Sequence, residues 1–265
     1  MISPRISVIL PLLCPTPFLQ EMAFFTISTL RRHADQPFEL VIAEAGYDTF
    51  DPSRIRDRGA VDGIKYAPDK YLNFTPKIGS IRETNEAIRA ASGQFIVATG
   101  SDVIVPPHWD THLLRCFSER QDCGLASLSS FEPGAIIGPD VAMDRIVEGF
   151  YSPFMAWRKG WEWSEDYVKI YQDSDLVLRM YESGLRAYRS CRAHVHHLLR
   201  MTSDRVDPEQ HNKDLARDER LFYSRWGNSP LMMFAMIRFG QYQYGQEHRS
   251  WLTPINLHHD PNQPE

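Results

Sequence analysis

The sequence predicts an α/β fold in which helices cover both faces of a mostly parallel sheet. Three observations carry this. Apolar runs occur at 6–10, 38–43 and 95–98, broken only by Ser7 and Glu39, and a run without regular polar alternation is the mark of a strand buried on both faces. Segments of helical period separate these runs, the alternation that parallel sheets require. The second and third runs each end on small residues and one acid, Glu44 and Asp102, and ligands of parallel sheets collect at that end of the strands.

In chain order, the run 6–10 is closed by Pro11, and 18–32 places Met22, Phe25, Ile27 and Leu30 at spacings of three, two and three before a polar HADQP break. That reads as a crossover helix leading to the strand at 38–43. A second helix over 82–91 stops at Ser92-Gly93 and feeds the strand at 95–98, and a third over 109–117 puts Trp109, Leu113, Leu114 and Phe117 on one side. From 140 to 163 the chain is dense in aromatics, including Phe150, Tyr151, Phe154, Trp157, Trp161 and Trp163. This reads first as a hydrophobic cluster under a long loop and second as the lining of an acceptor cleft. A helix over 173–183 follows, with Asp175 and Arg179 four apart as an ion pair and Gly184 as its stop.

Bulk properties narrow the function. In 265 residues, 29 Lys and Arg face 34 Asp and Glu, a formal net charge of −5, so there is no global basic footprint for a phosphate backbone. General nucleic-acid binding is not expected; a modified nucleic acid stays open as an acceptor. The four cysteines, Cys14, Cys116, Cys123 and Cys191, show neither C-x-x-C spacing nor disulfide-scaffold density, which suits reduced core thiols of a cytoplasmic protein. Pro11 interrupts the first apolar run without a clear cleavage site, so no signal peptide is expected. The expected division is a catalytic-type domain over 1–210 and a C-terminal helical extension and tail over 211–265. Within the extension, 231–244 predicts a helix packed on its own domain, with a second copy or a peripheral membrane surface as other partners.

The P-loop, dinucleotide, zinc-protease and nucleophile-elbow motifs are absent. Acidic and histidine chemistry remains: Glu44, Asp102, the pair Asp173 and Asp175, and His194, His196 and His197. The aspartates are two apart at a helix start, so their side chains diverge; one suits a cap and the other a general base. Alternation in AHVHH puts His194 and His196 on one face and His197 on the other, and a metal or an anion is the expected ligand of such a cluster.

Taken in order, ISVILP, FELVIAEAG, KIGSIRETNEAIRAASGQFIVATGSDVIVPPHW, YQDSDLVLRMYESGLRAY and CRAHVHH resemble the family 2 glycosyltransferases of the GT-A, Rossmann-like fold over roughly 6–197. The resemblance implies a nucleoside-diphosphate-sugar donor, a divalent Mn or Mg ion, and transfer to a hydroxyl of a glycan or another acceptor with inversion. It assigns Glu44 to the nucleotide base. The family's G-x-x-x-A-R-N is met at Gly79 and Asn85 with Thr84 in place of Arg, so Arg82 or Lys77 would supply that charge. Its D-x-D becomes Gly100-Ser101-Asp102, leaving Ser101 and Asp102 on the donor with Asp102 as the metal ligand. Its E-D-x-D becomes Gln172-Asp173-Ser174-Asp175, with Asp173 as base, and its P-x-A-x-V-x-H is met by Cys191, Ala193, Val195 and His197, making His197 a second metal ligand.

Two other readings share the fold. A nucleotidyltransferase making sugar nucleotides needs a glycine- and base-rich loop after the first strand, and residues 12–17 (LLCPTP) have neither. A non-catalytic carbohydrate- or nucleotide-binding module is suggested by Gly100 and Gln172 in place of acids.

Overall fold

A computed structural model describes residues 5–14, 16–46, 67–131, 144–149, 153–198 and 208–231. Among them nine strands form one sheet: β1 (Ile6–Leu12), β2 (Glu39–Ala45), β3 (Lys70–Phe74), β4 (Phe95–Thr99), β5 (Val103–Ile104), β6 (Cys123–Phe131), β7 (Ile146–Glu148), β8 (Phe154–Arg158) and β9 (Arg186–His197). The described helices are α1 (Pro17–His33), α2 (Ser80–Ala90), α3 (Trp109–Glu119), α4 (Gln172–Glu182) and α5 (Pro208–Trp226). The strand order is β3-β2-β1-β4-β8-β6-β9-β5, with β7 also paired to β9. The first four neighbours run parallel, as do β6 and β9, while β8 lies antiparallel between β4 and β6.

Successive side chains of a strand point to opposite faces, and the two faces bury separate cores. Val8, Leu10 and Leu12 of β1 and Phe95 and Val97 of β4 meet α1 and α3 on one face. Ile9 and the Ile96 and Ala98 side chains of β4 meet α2, α4 and α5 on the other. The expected two-sided sheet is therefore present, and the four expected apolar positions of α3 are buried. Trp109 locks that helix to α1 by donating its indole N–H to the Leu30 carbonyl at 3.0 Å. Local signals set the ends of the helices. Thr16 caps α1 by accepting the Leu19 N–H at 3.4 Å, with Pro17 at the first turn, and α4 stops at Gly184 as expected, with Leu185 N–H bonded back to Met180.

The aromatic stretch 140–163 departs from the loop expected there. Phe154–Arg158 is a strand, and Phe154 and Trp157 are fully buried on opposite faces of the sheet. Five residues flanked by aromatics carry no helical or alternating period, so the run is silent about its state. Trp161 and Trp163 pack against the second core; Phe150 and Tyr151 lie outside the described residues.

Helix α5 crosses the expected boundary at 210 and sends Phe222 and Trp226 into the second core. Of the segment 231–244, only Leu231 falls within the described residues. No described helix is long and apolar enough to cross a membrane.

The junction of α4 and α5 is ionic and buried. Asp175 is 0 % exposed and accepts from Arg179 at 2.7 Å, Arg225 at 2.9 Å, the Trp226 indole at 3.0 Å and the Tyr167 hydroxyl at 3.3 Å. The i,i+4 pair with Arg179 expected from the sequence is thus one arm of a larger hub. Asp175→Asn would leave two guanidinium groups facing a neutral amide. Breaking a buried pair from one side costs about 3–5 kcal/mol, and the partial exposure of both arginines lowers the expected loss to about 2–3 kcal/mol. Urea unfolding measures it; a change below about 0.5 kcal/mol, the size of an ordinary surface substitution, would contradict the hub.

Candidate active site

The carboxyl ends of β1, β2 and β4 and the end of β9 open into one cavity of about 630 Å³. Residues 11–13 and Ala45 line it from β1 and β2, Gly100, Ser101 and Asp102 from the turn after β4, and His197 from β9. Lys77, Gly79, Ser80 and Glu83 line it around the start of α2, and Val168, Lys169, Gln210 and Asp214 add the approach to α4 and the first turns of α5.

The turn after β4 is held from two sides. Thr26 on α1 donates its hydroxyl to the Ser101 carbonyl at 2.9 Å and accepts the Val103 N–H at 3.3 Å. Opposite, Val103 pairs with His197 in the β5–β9 ladder, and Leu198 N–H bonds the Asp102 carbonyl at 3.0 Å. These backbone constraints bring the His197 Nε2 to 3.5 Å from the Asp102 Oδ1. A Cβ on Gly100 would lie 2.8 Å from that same oxygen. The residue standing where the family has its first D-x-D acid therefore makes room for the carboxylate of the last one.

Lys77 is the lysine the sequence singled out, and it reaches the cavity. Its aliphatic stem lies against Gly46, where φ is +73° and a Cβ would meet the Lys77 Cβ at 3.1 Å; glycine satisfies both demands. The loop behind Lys77 is tied by Glu83, almost fully buried, which accepts the Ile78 N–H at 2.8 Å and the Gly79 N–H at 3.1 Å. Helix α2 begins here without a side-chain cap, so its positive end faces the cavity that Lys77 also lines.

Other expected donor residues fall elsewhere. Arg82 is 61 % exposed and turns to Glu165, 3.5 Å away. Asn85 is fully buried, its amide donating to the Trp163 carbonyl at 2.9 Å and Glu165 at 3.2 Å while its carbonyl accepts the Trp163 N–H at 3.1 Å. It braces the 161–165 segment, and neither residue lines the cavity. Glu44 is also fully buried and accepts from the Tyr71 hydroxyl. Beside it, burial first and the Glu44 charge second push the Cys14 thiol up to about 12, which keeps it protonated.

Asp173 sits in the first turn of α4, 7 % exposed, with the Ser174 N–H donating to its Oδ1 at 2.8 Å. Of the three histidines only His197 lines the cavity. His194 is half-buried, and burial, then the Arg189 charge, lower its pKa, while His196 is exposed. Glu83, Lys169, Gln210 and Asp214 were not anticipated. Glu83 had a legible signal, since Ser80-Ile81-Arg82-Glu83 has the form of a capping box, although its carboxylate bonds N–H groups one and two residues earlier. The other three belong to no local pattern.

The acids and histidines at the cavity suit a hard cation in part. Among the described residues no group of three or more His, Cys, Asp or Glu side chains could hold a metal. Asp102 and His197 offer one carboxylate oxygen and one imidazole nitrogen, a pair that Mn or Mg accepts when substrate oxygens and water complete the shell.

Comparison with solved structures places this α/β sheet in the GT-A fold, since its structural neighbours are GT-A glycosyltransferases. Among solved structures, S. aureus TarS 1–349 in complex with UDP-GlcNAc matches with a TM-score of 0.58 at 15% identity, over 88% of this chain and 66% of that one. The mannosyltransferase PcManGT from Pyrobaculum calidifontis, in complex with GDP-Man and Mn2+, matches with a TM-score of 0.58 at 18% identity, over 89% and 70%. S. aureus TarS 1–349 alone gives 0.57 at 13%, over 86% and 74%. At these identities the likeness is one of fold. No protein-family model and no curated protein matches the chain.

The contact at Gly100 has a measurable consequence. Gly100→Ala pushes a methyl toward the Asp102 carboxylate and turns it from His197. Displacing groups that orient a ligand costs about 10- to 100-fold in metal affinity, so a Mn2+ ion held by Asp102 and His197 would need at least about tenfold more metal to give the same thermal shift in the variant. An unchanged Mn2+ titration would show that the close approach has no role.

Proposed function

We propose that this protein is an inverting glycosyltransferase that moves a sugar from a nucleoside-diphosphate sugar to an acceptor hydroxyl. The observation that carries this is the Asp102–His197 pair facing Lys77 and the open start of α2 in one cavity of a GT-A-type sheet. The ligands in two neighbouring folds, UDP-GlcNAc in one and GDP-Man with Mn2+ in the other, support the donor class and a divalent ion.

On this reading the nucleoside occupies the β1 and β2 ends, where residues 11–13 and Ala45 present an apolar surface. Ser101 and Asp102 face the diphosphate, with Lys77 against its negative charge. A Mn2+ or Mg2+ ion held by Asp102 and His197 would supply further neutralisation of the leaving diphosphate. Asp173, oriented by the Ser174 N–H, takes the proton of the acceptor hydroxyl as its oxygen attacks the anomeric carbon. The bond from that carbon to the diphosphate oxygen breaks, and the nucleoside diphosphate leaves with the electron pair. Attack opposite the leaving group inverts the anomeric centre. Lys77 takes the part the resemblance left between it and Arg82, because Arg82 turns to Glu165.

Asp102→Ala is expected to abolish transfer and the metal-dependent part of donor binding while circular dichroism and the unfolding midpoint stay near the parent, since Asp102 is the last carboxylate of the turn. Titration calorimetry with UDP and GDP, with and without Mn2+, checks it; a metal-stimulated affinity equal to the parent's refutes the metal site.

Asp173→Asn keeps shape and removes basicity. Turnover should fall by about 100-fold or more with donor affinity nearly intact, whereas Asp175→Asn should act chiefly on stability. The reverse pattern, with Asp175→Asn folded and inactive, would transfer the base to Asp175.

A further inference from the structure

The segment that leads into α4 is held by an unusual device. Asp218 of α5 is 0 % exposed, and its carboxylate accepts three successive backbone N–H groups, from Val168 at 3.0 Å, Lys169 at 2.6 Å and Ile170 at 3.0 Å. Arg217 adds a fourth contact at 3.0 Å. On its other side the segment is tied to the cavity wall, because the Val168 carbonyl accepts the hydroxyl of Ser80, the first residue of α2, at 3.3 Å. A carboxylate without water is tolerated only when fully hydrogen-bonded, and this one fixes three residues in a row. The side chain delivered between these anchors is Lys169, which lines the same cavity as Lys77 and Asp102.

The charge at the cavity gives Lys169 a partner. The family's arginine before Asn85 is Thr84 here, buried and donating to the Ser80 carbonyl at 2.7 Å, and Arg82 turns away. A leaving diphosphate develops negative charge that fixed cations stabilise. We propose that Lys169 is a second cation on the donor's diphosphate, and that Asp218 positions it by clamping the 168–170 backbone. The assignment rests on the nucleotide-sugar reading above and adds to it a residue from outside every motif.

The test compares nucleoside diphosphates with monophosphates, since only the former carry the second phosphate. Calorimetry of the full chain with UDP, UMP, GDP and GMP, in EDTA and in Mn2+, gives the diphosphate-to-monophosphate affinity ratio. Lys169→Met is expected to lower that ratio by about tenfold, most visibly in EDTA, with monophosphate affinity unchanged, and Lys169→Arg to restore most of it. A folded Asp218→Asn should lower the ratio in the same direction although the lysine is present. An unchanged ratio in Lys169→Met overturns the role of Lys169, and an unchanged ratio in folded Asp218→Asn overturns the clamp. Absence of binding of all four nucleotides by the parent overturns the donor reading, and the Lys169 assignment with it.

Discussion

A carboxylate removed from water must be met by donors, and here that demand ties α4 and the segment ahead of it to α5. Asp175 and Asp218 are both fully buried. Asp175 reaches from α4 to Arg225 and Trp226 on α5, and Asp218 reaches from α5 back to residues 168–170 just ahead of α4. The two bonds run in opposite directions between the same pair of elements, so neither helix can shift without stranding a charge. Since Asp173 lies in the first turn of α4 and the first turns of α5 carry Gln210 and Asp214 to the cavity, the placement of these residues depends on this pairing rather than on apolar contact alone. Apolar packing is non-directional and tolerates small slips; two crossed ionic anchors do not.

The other wall of the cavity is set by backbone. The turn after β4 hangs between Thr26 and the β5–β9 ladder, and the register of that ladder decides which β9 side chain faces Asp102. A shift of one residue would exchange His197 for His196. Only His197 lines the cavity, although three histidines occur within four residues. Strand period, more than the number of histidines, thus selects which imidazole faces the cavity.

Much of the first half was legible because its signals are local. The buried runs that became β1, β2 and β4 and the helix face of α3 each depend on a few adjacent residues, as does the stop of α4 at Gly184 further on; on α1 the expected Ile27 and Leu30 are buried, but Phe25 is 49 % exposed and Met22 half-buried, so that face was read only in part. Asp102 was found from its position after a strand, Lys77 and His197 through the family resemblance, and the structure brings the three into one cavity. β8 was missed because its sequence lacks a period, and Asn85 and Arg82 were misplaced because their partners, Trp163 and Glu165, lie some 80 residues on and no local pattern names them. The same reason hid Lys169, whose placement is decided by a carboxylate on α5.

The departures from the family pattern make sense together when charge is counted. Gly100 removes a negative group from the turn and Thr84 removes a positive one from α2, so the two losses offset one another in the net charge of the site. The Gly100 position is then filled sterically by the Asp102 carboxylate, and the Thr84 hydroxyl is turned inward to its own helix. Cationic charge is carried instead by lysines on either side of the α2 start, one stacked on Gly46 and the other beside the segment held by Ser80 and Asp218. Lysine is a compact, rotatable charge, where the arginine it replaces would be a fixed planar fork. On the proposed reading, a site built this way would bind an anion by field more than by a single bidentate geometry, and its demands on the pose of a diphosphate would be set by the backbone that carries the lysines, which is the part of the site the buried carboxylates Glu83 and Asp218 hold still.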